Sequence, residues 1–410
     1  MSQCVIQENE KIYKILMAVK NKKQKRKICF VITSFIHYSR NFLVLEELQK
    51  RNDVELHVIV AGTALLSKYS ARSQHIQGML KKKGIKRVYE IYFNLEGGKP
   101  VVKAKTAGLG MVEFSSVFNQ VNPDVVVVRG DRFEVLSATA AAALMNISIA
   151  HIEGGDVTGT IDESVRHAIT KFAHIHFATN KDAKRRVLQM GENPKYVFNF
   201  GSPDVEVVKK LAKKTKKLPH ISQTGSGAMI DPNKDFIMVS YHPVTSELDK
   251  LSEHTDQLLE AVHTLGIPTF WFWPNADAGA EEKISHRLRI FNDTHKNHNI
   301  RFMRYLPPEQ YLWFLGRAKC MVGNSSAGIK ECSYLGVPVV NIGTRQQKRL
   351  KAKNVLNVSH STRSIKTGIQ KQLKRGKYKS SNVYSVSNTS KNIAKTLATT
   401  DLYIQKLFNG

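Results

Sequence analysis

Short β-branched runs, each closed by glycine or polar residues and followed by a stretch of helical spacing, constrain this fold more than any other feature. Two of them, Val125 to Val128 and Ile147 to Ala150, read as buried parallel strands. Acid follows each. Asp131, Arg132 and Glu134 come after the first; His151, Glu153 and Asp156 come after the second, and Asp162 opens the next helix. In an open α/β sheet the carboxyl ends of the strands line the ligand crevice, so carboxylates placed there converge on one substrate. A plainer reading has Asp131 and Asp162 capping helices and Glu153 paired with Arg132 or Arg166. Repetition of the motif on consecutive strands favours function.

The same rhythm extends in both directions. Lys27 to Thr33, Val54 to Ala61, Val88 to Phe93, Ile175 to Thr179 and Tyr196 to Gly201 are further strands, with helices over Tyr38 to Gln49 and Ala104 to Gln120. Residues 218–235, LPHISQTGSGAMIDPNKD, lack periodicity and are rich in glycine, serine and proline, so they read as a linker. The rhythm then restarts with Phe236 to Ser240, Thr269 to Trp273, Ile300 to Met303, Cys320 to Val322 and Val337 to Ile342. The predicted organisation is a basic extension (1–26), a first Rossmann-like domain carrying the acidic motifs (27–217), the linker, a second, nucleotide-binding Rossmann-like domain (236–385) and a last helix (386–410) crossing back to the first. Two α/β units of this kind place two parallel sheets face to face across a cleft.

Composition narrows the function classes. A chain of 410 residues with 42% hydrophobic content buries sizeable cores. No apolar run approaches the roughly 18 residues a membrane span needs, and the charged N-terminus lacks a signal peptide's apolar region, which predicts a cytoplasmic protein with no membrane partner. Cys4, Cys29, Cys320 and Cys332 are scattered and read as reduced thiols. The net charge of +28 suits nucleotide phosphates, nucleic acid or anionic surfaces. Its excess is split among Lys20 to Lys27, Lys81 to Lys86, Lys209 to Lys217 and Lys348 to Lys353, mostly without interleaved aromatics, so solvated faces are favoured over nucleic-acid binding. His167, His174 and His176 lack a chelating helical spacing and are assigned to packing, with no metal site.

In the second half, Gly323-Asn324-Ser325-Ser326-Ala327-Gly328 joins a strand to a helical segment at Ile329 to Leu335. Small residues there allow backbone to approach a diphosphate at a helix start, although a serine N-cap accounts for the loop equally well. Glu331 is placed to accept from a ribose diol, and Arg345 of Gly343-Thr344-Arg345 to meet phosphate.

GDRFE and HIEGGDVTGTIDESVRHAITKFAH, followed in order by SYHPVT, NADAG, GNSSAGIKE and GTRQ, resemble the hydrolysing UDP-N-acetylglucosamine 2-epimerases, including the epimerase half of the animal epimerase/kinase, over roughly residues 27–380. The resemblance implies a glycosyltransferase-B-like fold with the sugar nucleotide between the domains, and conversion of UDP-N-acetylglucosamine and water into N-acetylmannosamine and UDP through a glycal. It assigns catalysis to Asp131, Glu153 and Asp162, with His242 beside the diphosphate, and UDP contacts to Arg132, Asn275, Ser325, Ser326, Glu331 and Arg345. No cofactor or metal is called for, and a homodimer or homotetramer is implied. One segment departs from the pattern. Where the family has an Arg-Ala-Asp-Tyr-like stretch, this chain has Phe35-Ile36-His37-Tyr38, with Arg40 or His37 as replacement. Two alternatives stand beside this reading: hydrolytic epimerisation of a UDP-2,4-diacetamido-trideoxyhexose, and a UDP-sugar transferase that needs an acceptor.

Overall fold

A computed structural model describes residues 25–65, 70–97, 100–212, 225–244, 246–274, 280–295, 299–303 and 306–409. In the first half, the apolar runs form β1 (Arg26–Ile32), β2 (Val54–Ala61), β3 (Val88–Ile91), β4 (Val125–Arg129), β5 (Ser148–Ile152), β6 (Ile175–Ala178) and β7 (Val197–Asn199). They make one parallel sheet in the order β3-β2-β1-β4-β5-β6-β7. Val125 to Val128 are completely buried, as a strand covered by helices on both faces must be. The order reverses between β1 and β4, where Phe30 faces Val127 in register, so the loops after these two strands flank the crevice.

The second half repeats the plan with β8 (Ser226–Gly227), β9 (Ile237–Ser240), β10 (Thr269–Phe272), β11 (Ile300–Met303), β12 (Cys320–Gly323), β13 (Val339–Ile342) and β14 (Val355–Val358), ordered β14-β13-β12-β9-β10-β11-β8. All pairs are parallel except β8 on β11. Here the reversal lies between β9 and β12, and the loops after them begin at Tyr241 and at Asn324. The molecule is an α/β protein of two Rossmann-like halves with the glycosyltransferase-B-like arrangement.

Three regions depart from expectation. The stretch read as a linker is described from residue 225 onward, where Ser226–Gly227 closes the edge of the second sheet instead of spanning free. Strand β1 starts at Arg26, inside the expected extension, because Arg26 pairs with Val54 and its guanidinium donates to the carbonyls of Leu397 (3.0 Å) and Thr400 (2.7 Å). The segment read as a last helix is helical only over Thr389–Thr399, which packs on the Phe35–Gln49 and Pro203–Ala212 helices of the first domain. Beyond it the chain runs along that domain without regular structure. Ser148 Oγ donates to the Tyr403 carbonyl at 2.8 Å, and Lys406 Nζ lies 2.7 Å from Glu192 Oε2. The remaining part of the N-terminal extension lies outside the described residues.

One apolar core runs from β1 and β4 through Val207 and Leu211 into Phe314, Met321 and Val339, so the two sheets share packing on one side of the cleft. Among the described residues no helix is long and apolar enough to cross a membrane. His174 and His176 are packing residues: His174 Nδ1 accepts from the Ile149 amide at 3.1 Å and His176 Nε2 meets Glu192 Oε2 at 3.1 Å.

Candidate active site

The carboxyl ends of the two sheets face each other. The Gly159 amide of the first domain donates to the Arg345 carbonyl of the second at 3.2 Å, and a Cβ at Gly159 would stand 2.8 Å from the Thr344 carbonyl oxygen, so glycine permits this approach. Arg349 Nε donates to the Val157 carbonyl at 3.1 Å. These contacts hold the Asp156 to Thr160 loop against the second domain.

On the first-domain side, neither Asp131 nor Asp162 caps a helix. Arg132 occupies the N-cap of the Phe133–Leu144 helix without a side-chain cap bond, and the cap of the Ile161–Phe172 helix is Thr160, whose Oγ1 accepts from the Asp162 amide at 3.3 Å. Asp131 is ion-paired with the fully buried Arg166 while a quarter of its own side chain stays in solvent. Asp162 is half-buried in the first helical turn, where the helix dipole favours a negative charge. Arg132 forms a two-pronged pair with buried Glu134, at 3.0 and 2.9 Å.

Glu153 differs from both. Its backbone lies in the left-handed region at φ 76°, a conformation that stores strain in a residue with a Cβ. One carboxylate oxygen accepts from Arg129 Nε (3.0 Å) and Nη2 (2.8 Å); the other is bound by Lys330 Nζ from the second domain. Burial alone would raise the Glu153 carboxyl, but Lys330 foremost, then Arg129, Arg349 and Arg40, hold it well below the ordinary carboxylate range.

On the second-domain side, Gly323 at φ 127° lets the chain pass Ser240, where a Cβ would come within 2.2 Å of the carbonyl oxygen. Asn324 then clamps the backbone of His242, accepting from its amide at 2.8 Å and donating to its carbonyl at 2.9 Å. His242 Nε2 lies 3.2 Å from Ser240 Oγ, and Arg345 Nη1 donates to the Asn324 carbonyl at 3.2 Å. Ser325 is an N-cap, its Oγ accepting from the Ala327 amide at 3.4 Å, in agreement with the plainer reading of that loop. The helical segment expected over Ile329 to Leu335 is instead two short helices, Ser326–Ile329 and Glu331–Leu335, broken at Lys330.

Arg40 joins the two sides. Its Nη2 is 3.3 Å from both Ser326 Oγ and Glu331 Oε1, and Nη1 is 3.7 Å from Asp204 Oδ2. Arg40 rather than His37 therefore reaches the second-domain loop; His37 is buried, bonded to Thr33 Oγ1 at 3.2 Å, and burial followed by Arg129 and Arg132 keeps its imidazole neutral. The remaining Glu331 oxygen, Oε2, is buried and has no hydrogen-bond partner among the described residues. Burial outweighs Arg40 here and raises the Glu331 carboxyl.

Arg129, Arg40 and Lys330 together face Glu153, Asp156, Asp204 and Glu331 in one continuous network. Three cations against four carboxylates nearly balance, which makes burial of so many charges tolerable. The network gathers Glu153, Ser326 and Glu331; Asp131 sits beside it with Arg166, and His242 and Arg345 are joined through Asn324. Asn275 lies outside the described residues. Arg129, Asp204 and Lys330 escaped the sequence reading. Lys330 left a signal, a lysine between Ile329 and Glu331 in a segment otherwise suited to burial.

Glu247, His254 and His360 have ligand atoms within 4.8 Å of one another. The two imidazoles are stacked, 3.6 Å apart and 2° from parallel, so a metal could not lie in the plane of both rings unless one turned. The cluster instead supports the loop above it, with Thr344 Oγ1 donating to Glu247 Oε1 at 2.7 Å.

Two doubly wound halves, with an acidic rim facing a small-residue loop and an arginine, define an enzyme architecture of the nucleotide-sugar class. The sequence profile of the UDP-N-acetylglucosamine 2-epimerases matches residues 46–398, and the chain belongs to that family. It is 31% identical to a hydrolysing UDP-N,N'-diacetylbacillosamine 2-epimerase of Legionella pneumophila, over 93% of this chain and 98% of that protein. It is also 31% identical to a UDP-N-acetylglucosamine 2-epimerase of Neisseria meningitidis serogroup B, over 84% and 87%. Among solved structures, the Methanocaldococcus jannaschii UDP-GlcNAc 2-epimerase in complex with UDP-GlcNAc and UDP superposes with a TM-score of 0.75 at 16% identity, covering 90% of this chain and 99% of that one, a likeness of fold.

Proposed function

We propose that this protein is a hydrolysing UDP-N-acetylhexosamine 2-epimerase, taking UDP-N-acetylglucosamine to N-acetylmannosamine and UDP. The observation that carries the reading is the meeting of Glu153 and the Gly159 loop of the first domain with Lys330 and Arg345 of the second, together with the reach of Arg40 to Ser326 and Glu331. Uridine diphosphate occupies the second edge, with its ribose diol donating to Glu331 Oε2 and its phosphates between Arg345 and Arg40. His242 lies beside the diphosphate.

Chemistry proceeds in two stages. The anomeric carbon–oxygen bond breaks with its electron pair leaving on UDP; oxocarbenium character acidifies the neighbouring proton, a carboxylate removes it, and a glycal forms. Water then adds, its oxygen to the anomeric carbon and a proton to the opposite face of the adjacent carbon. Asp131 suits proton transfer because its carboxylate is partly solvated. Asp162, in the first turn of the helix that follows the loop after β5, suits the orientation of water. Glu153, bonded through both oxygens to cations, is a weak base and serves as fixed negative charge.

A second substrate has specific support, since one relative at 31% identity is named for the diacetylbacillosamine nucleotide and another for UDP-N-acetylglucosamine. The test offers the purified protein both UDP-sugars in heavy-oxygen water, with early quenching and mass spectrometry. Free sugar labelled at its anomeric oxygen, together with UDP, is expected. A UDP-sugar epimer that keeps its nucleotide overturns the hydrolytic reading, and a requirement for an acceptor replaces it with a transferase.

A further inference from the structure

Lys330 is the one residue of the ion network whose side chain crosses completely from the second domain into the carboxylates of the first. Its backbone belongs to the loop–helix region after β12, its amide donating to the Ser326 carbonyl at 3.0 Å and its carbonyl accepting from Ser333 Oγ at 2.7 Å. None of the side chain is exposed. Its Nζ binds Glu153 Oε1 and lies 3.4 Å from Asp156 Oδ2 and 3.8 Å from Asp204 Oδ2.

We propose that Lys330 is a positioning residue of the epimerase reaction: its buried ammonium fixes the Glu153 carboxylate against the sugar site and makes the acidic set complete only when the two domains are seated together. The inference rests on the reaction proposed above.

Three observations favour this over a purely stabilising role. Arg129 grips only one oxygen of Glu153, so the carboxylate needs a second donor to fix its rotation, and Lys330 supplies it from the opposite domain. Glu153 also sits on left-handed backbone, a placement that the fold maintains at a cost and that locates its side chain. Lastly, buried ion pairs add little stability relative to apolar residues of similar volume, so a lysine whose stem is wholly enclosed is poorly explained as glue. Lys330 adjoins Glu331 in sequence, and Arg40 ties Glu331 to Asp204 at the far side of the same network. Nucleotide held by Glu331 therefore acts on the segment that positions Glu153.

Removing the ammonium leaves Glu153 buried with Arg129 as its close partner, so its proton affinity rises and activity is lost as pH falls through a higher value than in the wild type. The experiment measures kcat and KM for UDP release from about pH 3 to pH 9 in the wild type, Lys330→Met and Lys330→Arg, with UDP affinity by calorimetry. For Lys330→Met the acid limb of kcat is expected to move up by about one to three pH units, the range by which a close opposite charge shifts a carboxylate. Turnover recovers toward alkaline pH, and UDP affinity and KM change less than about threefold, since positioning acts on the reacting centre rather than on nucleotide binding. Lys330→Arg restores the limb. If Lys330→Met does not fold, Lys330→Gln, whose amide still donates to Glu153, gives the same decision. A folded neutral variant with the wild-type limb and rate overturns the inference, as does a loss equal at all pH that arginine fails to restore. A wild type that releases no UDP from either sugar sinks the proposed function and this inference with it.

Discussion

Asp131 and Glu153 stand at equivalent places, each just beyond the carboxyl end of one of two adjacent strands, yet their surroundings are opposite. Among the described residues Asp131 pairs with Arg166 alone and keeps contact with solvent; Glu153 is enclosed, bonded to cations from both domains and set on left-handed backbone. A carboxylate that must exchange protons needs a proton affinity near the working range, whereas one saturated by cations contributes fixed charge. Position on the sheet therefore brings both residues to the crevice, and the partners supplied by distant segments give them opposite surroundings.

The largest expected effect separates the two by stability. Glu153→Gln leaves Arg129 and Lys330 buried opposite a neutral amide, which is expected to cost about 3–5 kcal/mol of unfolding free energy in denaturant titrations. Because the folded carboxyl is held below its usual value, the wild-type contribution is fully present above the unfolded value and disappears as pH falls through the folded one. The glutamine variant therefore loses less stability on acidification than the wild type does. Equal stability of the two proteins at neutral pH would erase the distinction drawn here.

Asp131→Asn is expected to act on rate instead. Turnover falls at least about a hundredfold, roughly 2.7 kcal/mol in the barrier, while unfolding changes by about 1 kcal/mol because asparagine keeps an acceptor for Arg166. Near-normal turnover removes Asp131 from the catalytic set. The nucleotide edge answers to a different measurement: Glu331→Ala and Arg345→Ala are each expected to weaken UDP about tenfold, or 1.4 kcal/mol, in calorimetry. Unchanged affinity in both would detach that edge from the site.

The smallest effect serves as a control far from the crevice. Glu192 binds His176, Lys171 and Lys406; burial raises its carboxyl, but these partners bring it down to about 2. Its contribution holds above the normal carboxylate range and fades as pH falls toward that value. Glu192→Gln is expected to leave turnover untouched and to lower stability by less than Glu153→Gln does, since the loss concerns the C-terminal strap and its partners Lys171 and Lys406 stay partly in solvent. A fall in turnover like that of Asp131→Asn would show that any ion cluster in this fold has the same effect.

Runs such as Val125 to Val128 announced the doubly wound class by themselves, because strands covered on both faces must be apolar throughout. GDRFE, HIEGGD and GNSSAG were likewise legible as site loops, since topology sends the ends of such strands to the crevice. β14 and Ser226–Gly227 were not, being short edge elements, the first only partly buried and the second exposed and without apolar residues. Nor were the identities of the ion pairs: Glu153 meets Lys330 across 177 residues, and Arg129 meets Asp204 across 75. Sequence spacing constrains charges three or four residues apart on a helix; beyond that, only packing of the two sheets decides which charges meet. Sequence alone thus located the carboxylates, and the tertiary structure determined which cations each of them meets.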